Sequence, residues 1–124
     1  MQYLLMIYAN EASRPTPADL EAMSADYAKF TQGIVKNGNF KGGERLHPSN
    51  SATMVRVREG KTLMTDGPFA ETREQLVGYY VVEAKDLDEA TSIAAAIPGA
   101  RTGAIEVRPI VVMQQEELRR FGRA

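Results

Sequence analysis

Tyr3-Leu4-Leu5-Met6-Ile7-Tyr8-Ala9 has an apolar or aromatic side chain at every position. The run is far too short to cross a bilayer. Read as a strand, its side chains alternate between two faces. Tyr3, Leu5 and Ile7 need cover on one side, and Leu4, Met6 and Tyr8 need it on the other. A strand of that kind lies inside a sheet with material packed against both faces.

The rest of the chain supplies cover for one face. Arg14-Pro15-Thr16-Pro17 breaks the strand. Thr16 is suited to cap a helix, with Pro17 at its first position. Leu20, Met23, Tyr27, Phe30 and Ile34 follow at spacings of 3, 4, 3 and 4 residues, one stripe of an amphipathic helix stopped by Asn37-Gly38. Asn39 to Leu46 reads as a weaker strand, in which Gly42-Gly43 predicts a bulge or close packing, and His47 to Ser51 as a polar loop. Thr53 to Arg58 and Lys61 to Thr65 alternate around Glu59-Gly60, a two-residue hairpin turn. Asp66 to Gln75 is a loop, and Leu76 to Glu83 a central strand. Asp86-Leu87-Asp88-Glu89 has the pattern of a capping box. Leu87, Ala90, Ile93, Ala94 and Ile97 form the inner stripe of a second helix, ended by Pro98-Gly99. Ile105 to Val111 is the last strand and Gln114 to Phe121 a short terminal helix.

The order is β-α-β, a hairpin, then β-α-β, without internal repeat or linker. Two such split units predict a single α+β domain over residues 1–124: a ferredoxin-like sheet with an inserted hairpin and both helices on one face. The second face then still presents Leu4, Met6, Tyr8, Val77, Tyr79 and Val81. Arg56, Arg58, Glu106 and Arg108 are expected on it too, since they alternate with Val55, Val57, Ile105 and Val107. An uncovered face mixing large apolar groups with charges suits a homodimer, sheet against sheet, around a polar-lined cavity.

Composition removes several classes of function. The chain has 124 residues, ample for its own core. Its 15 basic and 16 acidic residues give a formal net charge of −1, and no nucleic-acid footprint follows from such a balance. Without cysteine there is no disulfide, thiolate nucleophile or thiolate metal site, and one histidine, His47, argues against a multi-histidine metal centre. No metal or nucleotide-cofactor motif is present. No basic leader precedes the first apolar run, so the expectation is a cytoplasmic protein with no membrane partner.

Asp66-Gly67-Pro68-Phe69-Ala70-Glu71-Thr72-Arg73-Glu74 gathers three carboxylates and a guanidinium in one loop. Asp66 can bond the backbone of the turn set by Gly67-Pro68, and Phe69 can anchor the loop in the core. Asp, Gly and Pro are ordinary turn residues, so a purely structural loop explains the segment more simply than a site does. With Asp66 orienting it, His47 can act as a general base near neutral pH; as a solvated loop residue it needs no such role. Arg56 and Arg108 can clamp a carboxylate ligand or pair with Glu44 or Glu106. Tyr79 can donate into a cavity or pack with a satisfied hydroxyl. Glu71 and Arg73 complete the candidate ligand contacts.

The run from Asp66 to Leu76, followed by Gly78-Tyr79-Tyr80, resembles the signature of DGPF-domain proteins in the YCII-related family. The likeness extends upstream to Ala52-Thr53-Met54-Val55-Arg56. Downstream it takes in Asp86-Leu87-Asp88-Glu89-Ala90, Ile97-Pro98-Gly99-Ala100 and Glu106-Val107-Arg108-Pro109. It implies a dimeric α+β barrel, and relatives that include small-molecule isomerases and cofactor-free monooxygenases. It also implies a regulatory alternative, since DGPF proteins are often encoded beside extracytoplasmic-function sigma factors. YCII proteins have been suggested to carry a histidine–aspartate pair, with the histidine on the first helix. Here Asp19 and Asn37 stand at those positions, so that pair is absent.

Two functions follow as expectations. One is a dimer that binds a small-molecule ligand and uses it in cofactor-free proton transfer or oxidation, with Asp66, His47, Arg56, Tyr79 and Arg108 lining the pocket. The other is a non-catalytic module with a sigma factor as partner.

Overall fold

The computed structural model describes residues 1–13, 16–67 and 73–122. Four strands form one antiparallel sheet in the order β2-β5-β1-β6: β1 is Gln2–Ala9, β2 Phe40–Arg45, β5 Gln75–Glu83 and β6 Ala104–Pro109. With the hairpin set aside, this is the strand order of the ferredoxin-like fold predicted from the sequence. The apolar run Tyr3 to Ala9 lies in β1, hydrogen-bonded on both edges.

The helices close one face. Helix α1, Pro17–Lys36, starts at Thr16, whose hydroxyl accepts the Asp19 N–H at 3.1 Å while the Asp19 carboxylate accepts the Thr16 N–H. These reciprocal bonds satisfy two of the amide donors that a helix start leaves open. Asn37 caps the other end, and Gly38 turns the chain at φ +78°. Helix α2, Leu87–Ala96, starts at Asp86, which accepts the Glu89 N–H at 2.9 Å. Tyr3, Leu5, Ile7 and Val82 from the sheet, Ile34 from α1, and Ala90, Ala94 and Ile97 from or just after α2 make the buried core. A last short helix, α3, spans Gln115–Arg120.

Three expectations change. The hairpin of β3, Thr53–Arg58, and β4, Lys61–Asp66, forms a two-stranded sheet of its own and, among the described residues, pairs with no strand of the main sheet. Arg56 and Arg58 are therefore not on the uncovered face; Glu106 and Arg108 are, because they pair with Met6 and Leu4. The turn itself is as expected, with Glu59 at φ 51° and Gly60 at φ 74°. Second, the register between β1 and β5 slips after Ile7: Ile7 faces Gly78 and Tyr8 faces Leu76. Val77 is the extra residue of this bulge and packs against the core, while Leu76 joins Tyr8 on the uncovered face. Third, Leu20 and Met23 of the helix stripe remain 49% and 40% exposed. Ile34 is the buried residue of α1, so the helix seats on the sheet at its C-terminal end and stands off at its N-terminal half. Leu87 of α2 is likewise exposed.

Candidate functional site

Between the N-terminal half of α1 and the sheet lies a cleft of about 650 Å³. Three glycines shape it. Gly43 on β2 and Gly78 on β5 line its sheet side, and Gly99 lines it from the turn Pro98–Arg101 that follows α2. A side chain at Gly43 would come within 2.8 Å of the Tyr79 carbonyl, and one at Gly78 within 3.0 Å of the Glu44 carbonyl. Backbone cannot give way as a side-chain tip can, so both positions stay bare and the space stays open. Ile7, Phe40 and Val77 add apolar wall, with Leu20 and Met23 facing them from the helix.

Four of its polar side chains, Tyr27, Thr31, Tyr80 and Glu11, are held by hydrogen bonds. The Tyr27 hydroxyl accepts the Gly99 N–H at 3.1 Å. A Cβ on Gly99 would sit 2.6 Å from that oxygen, so the missing side chain is what admits the phenol. Burial raises the Tyr27 pKa, partly offset by the Gly99 bond; the neighbouring Tyr80 raises it further and Arg101 lowers it. Tyr27 is thus a neutral hydroxyl at physiological pH. One helical turn on, the Thr31 hydroxyl lies 2.8 Å from that of Tyr80, whose ring packs edge-on to Phe30 and Phe40. Glu11 lines the cleft, and its carboxylate accepts the backbone N–H of Ser49 at 2.9 Å and the Ser49 hydroxyl.

The residues singled out in the sequence are dispersed. Asp66 ends β4, is exposed, and accepts the Thr53 hydroxyl at 3.3 Å across the hairpin; the Gly67 N–H beside it bonds the Ala52 carbonyl at 2.7 Å. Its partner is thus the neighbouring strand, and no hydrogen bond joins it to His47 among the described residues. His47 is exposed after β2; Leu46 and Pro48 on either side of it line the cleft, and His47 does not. Arg56 is exposed on β3 opposite Leu63, and Arg73 is exposed just before β5. Arg108 is exposed and bonds Glu106, two residues back on β6. Tyr79 borders the cleft, but its cross-strand neighbour Met6 puts its side chain on the uncovered face. Glu71 and Phe69 lie outside the described residues.

Asp19 and Asn37 have different work. Asp19 belongs to the N-terminal cap of α1 and Asn37 caps its C-terminus. They stand at opposite ends of one helix, on the order of 27 Å apart at 1.5 Å per residue, so within one chain they form no pair. The cleft residues Tyr27 and Tyr80 carried a weak sequence signal: both sit in apolar patterns that core packing explains.

The sequence pattern of the YCII-related domain matches residues 1–114. The chain belongs to the YCII-related family. An uncharacterised protein of Rhizobium meliloti (strain 1021) is 34% identical to it over 122 residues, covering 95% of this chain and 98% of that protein. The YCII match spans the whole four-stranded sheet, both long helices and the cleft, and ends at the residue before α3. No helix among the described residues is long and apolar enough to cross a membrane.

Proposed function

We propose that residues 1–124 act as one small-molecule-binding domain of the DGPF type, working as a homodimer, with the ligand held in the cleft between α1 and the sheet. The observation that carries this reading is a cleft floored by glycines and walled by apolar side chains, with a few fixed hydroxyls. That is the usual make-up of a ligand site: apolar surface for affinity and sparse polar groups for orientation. Leu20 and Met23, left exposed on its helix side, gain cover when a ligand fills it. Glu11, Tyr27 and Tyr80 can hold or relay a proton, so the lining favours proton transfer among the reactions open to such a site. Leu4, Met6, Tyr8, Leu76 and Val81 share a face that no helix covers among the described residues, which supports the dimer.

Ser24 lines the cleft from α1 and is exposed, so Ser24→Trp fills the space without entering the core. The neutral fluorescent probe N-phenyl-1-naphthylamine is expected to bind the wild type saturably and to lose at least tenfold in affinity in Ser24→Trp at unchanged melting temperature. Equal binding by both proteins would remove the cleft as the site.

A further inference from the structure

The donors in the cleft restrict the chemistry of its ligand. The Tyr27 oxygen takes its hydrogen bond from Gly99, which leaves its own O–H proton without an acceptor among the described residues. In the Tyr80–Thr31 pair one hydroxyl donates to the other. Whichever donates, the second proton of the pair has no acceptor among the described residues. Tyr27 and Thr31 are four residues apart on α1, and so share one side of the helix. Two donor hydroxyls therefore border the same half-buried space, and a ligand that shuts water out of it must offer them an acceptor, because a donor left unpaired is costly.

The charged groups do not compensate. No charged side chain is buried among the described residues. Of those that line the cleft, Glu44 and Arg45 are exposed, and the Glu11 carboxylate is held by Ser49. An anion moved into such a space would lose hydration beside the half-buried Glu11 carboxylate with only the exposed Arg45 to offset it, and a cation could pair with Glu11 but would give the hydroxyls no acceptor. A neutral acceptor would meet the donors directly.

Building on the reading of the cleft as a binding site, we infer that it takes an uncharged, largely apolar organic molecule presenting a carbonyl oxygen to the Tyr27 hydroxyl. Apolar walls receive its hydrocarbon part, and the hydroxyl orients it. Gly99 is the specificity element behind this contact, since it holds the phenol in place without crowding it.

Three probes of similar shape separate the possibilities: 2-acetylnaphthalene, naphthalene and 2-naphthoate, titrated into the full chain at neutral pH. The expected order places the ketone about tenfold tighter than naphthalene, one neutral hydrogen bond's worth, with the carboxylate weakest. Tyr27→Phe is expected to bring the ketone down to naphthalene's affinity while naphthalene itself is unchanged. Tightest binding of the carboxylate, or equal binding of ketone and naphthalene, would overturn the ligand class and leave the cleft standing as a site. A ketone advantage that survives Tyr27→Phe would overturn the role of Tyr27. If none of the three binds, the cleft reading fails and the ligand class with it. The wild-type comparison decides the class even where the variant folds poorly.

Discussion

Burial raises the Tyr27 phenol above the ordinary tyrosine pKa of 10.0, and Tyr80 adds to that push, while the Gly99 N–H and Arg101 pull it back. In the unfolded chain Tyr27 ionises near its ordinary value; in the folded chain it holds its proton to higher pH. Above about pH 10 the unfolded state has therefore released a proton that the folded state retains, and stability falls as pH rises. Below that pH the contribution is intact. Urea unfolding between about pH 8 and 11 should show a steeper alkaline fall for the wild type than for Tyr27→Phe; parallel curves would contradict the assignment. The same residue shows what a sequence hides. The stripe of which Tyr27 is part was legible, but its hydroxyl's partner is Gly99, 72 positions away, and no local pattern joins the two. Asp66 drew attention for its company of charges, yet its visible partner is Thr53 on the adjoining strand.

At the scale of elements, what was legible is what the chain decides locally. Thr16 and Asp19, Asn37 and Gly38, and Asp86 and Glu89 mark helix ends through bonds that span a few residues, and Glu59-Gly60 sets its own turn. Facing is decided elsewhere. The slip at Val77 depends on how β5 meets β1, and the separation of the hairpin depends on which edges the main sheet leaves for it. Val55, Val57 and Met64 alternate as a buried strand would, but remain 58%, 60% and 72% exposed. Helix α1 divides in the same way, one end seated on the sheet and the other over the cleft. Ile34→Ala should therefore cost about 3 kcal/mol of stability, as a fully packed aliphatic does, whereas Met23→Ala should cost less than about 1 kcal/mol. Equal losses in thermal or urea unfolding would mean that α1 is packed along its whole length.

The whole molecule presents two unlike sides. One carries the helices and the cleft; the other offers Leu4, Met6, Tyr8, Leu76 and Val81 beside Glu106 and Arg108. A face of half-exposed apolar side chains with no helix over it among the described residues favours a second copy of the chain as its cover. Met6→Lys, at the centre of that face, should turn a dimer into a monomer in sedimentation equilibrium at micromolar concentration; a wild-type monomer under the same conditions would remove the dimer from the account. The β-α-β order made this face foreseeable, because the first strand is apolar on both sides. The cleft was not, because Gly43, Gly78 and Gly99 come from three separate segments and each contributes only the absence of a side chain. That cleft is the central claim, and amide chemical shifts test it most directly. Titrating 2-acetylnaphthalene into uniformly ¹⁵N-labelled protein should move the Gly43, Gly78 and Gly99 signals together with those of Tyr27 and Thr31, and leave the hairpin signals of Arg56 and Leu63 still. Shifts centred on the hairpin or on the Leu4–Met6–Val81 face, with the three glycines unmoved, would contradict it.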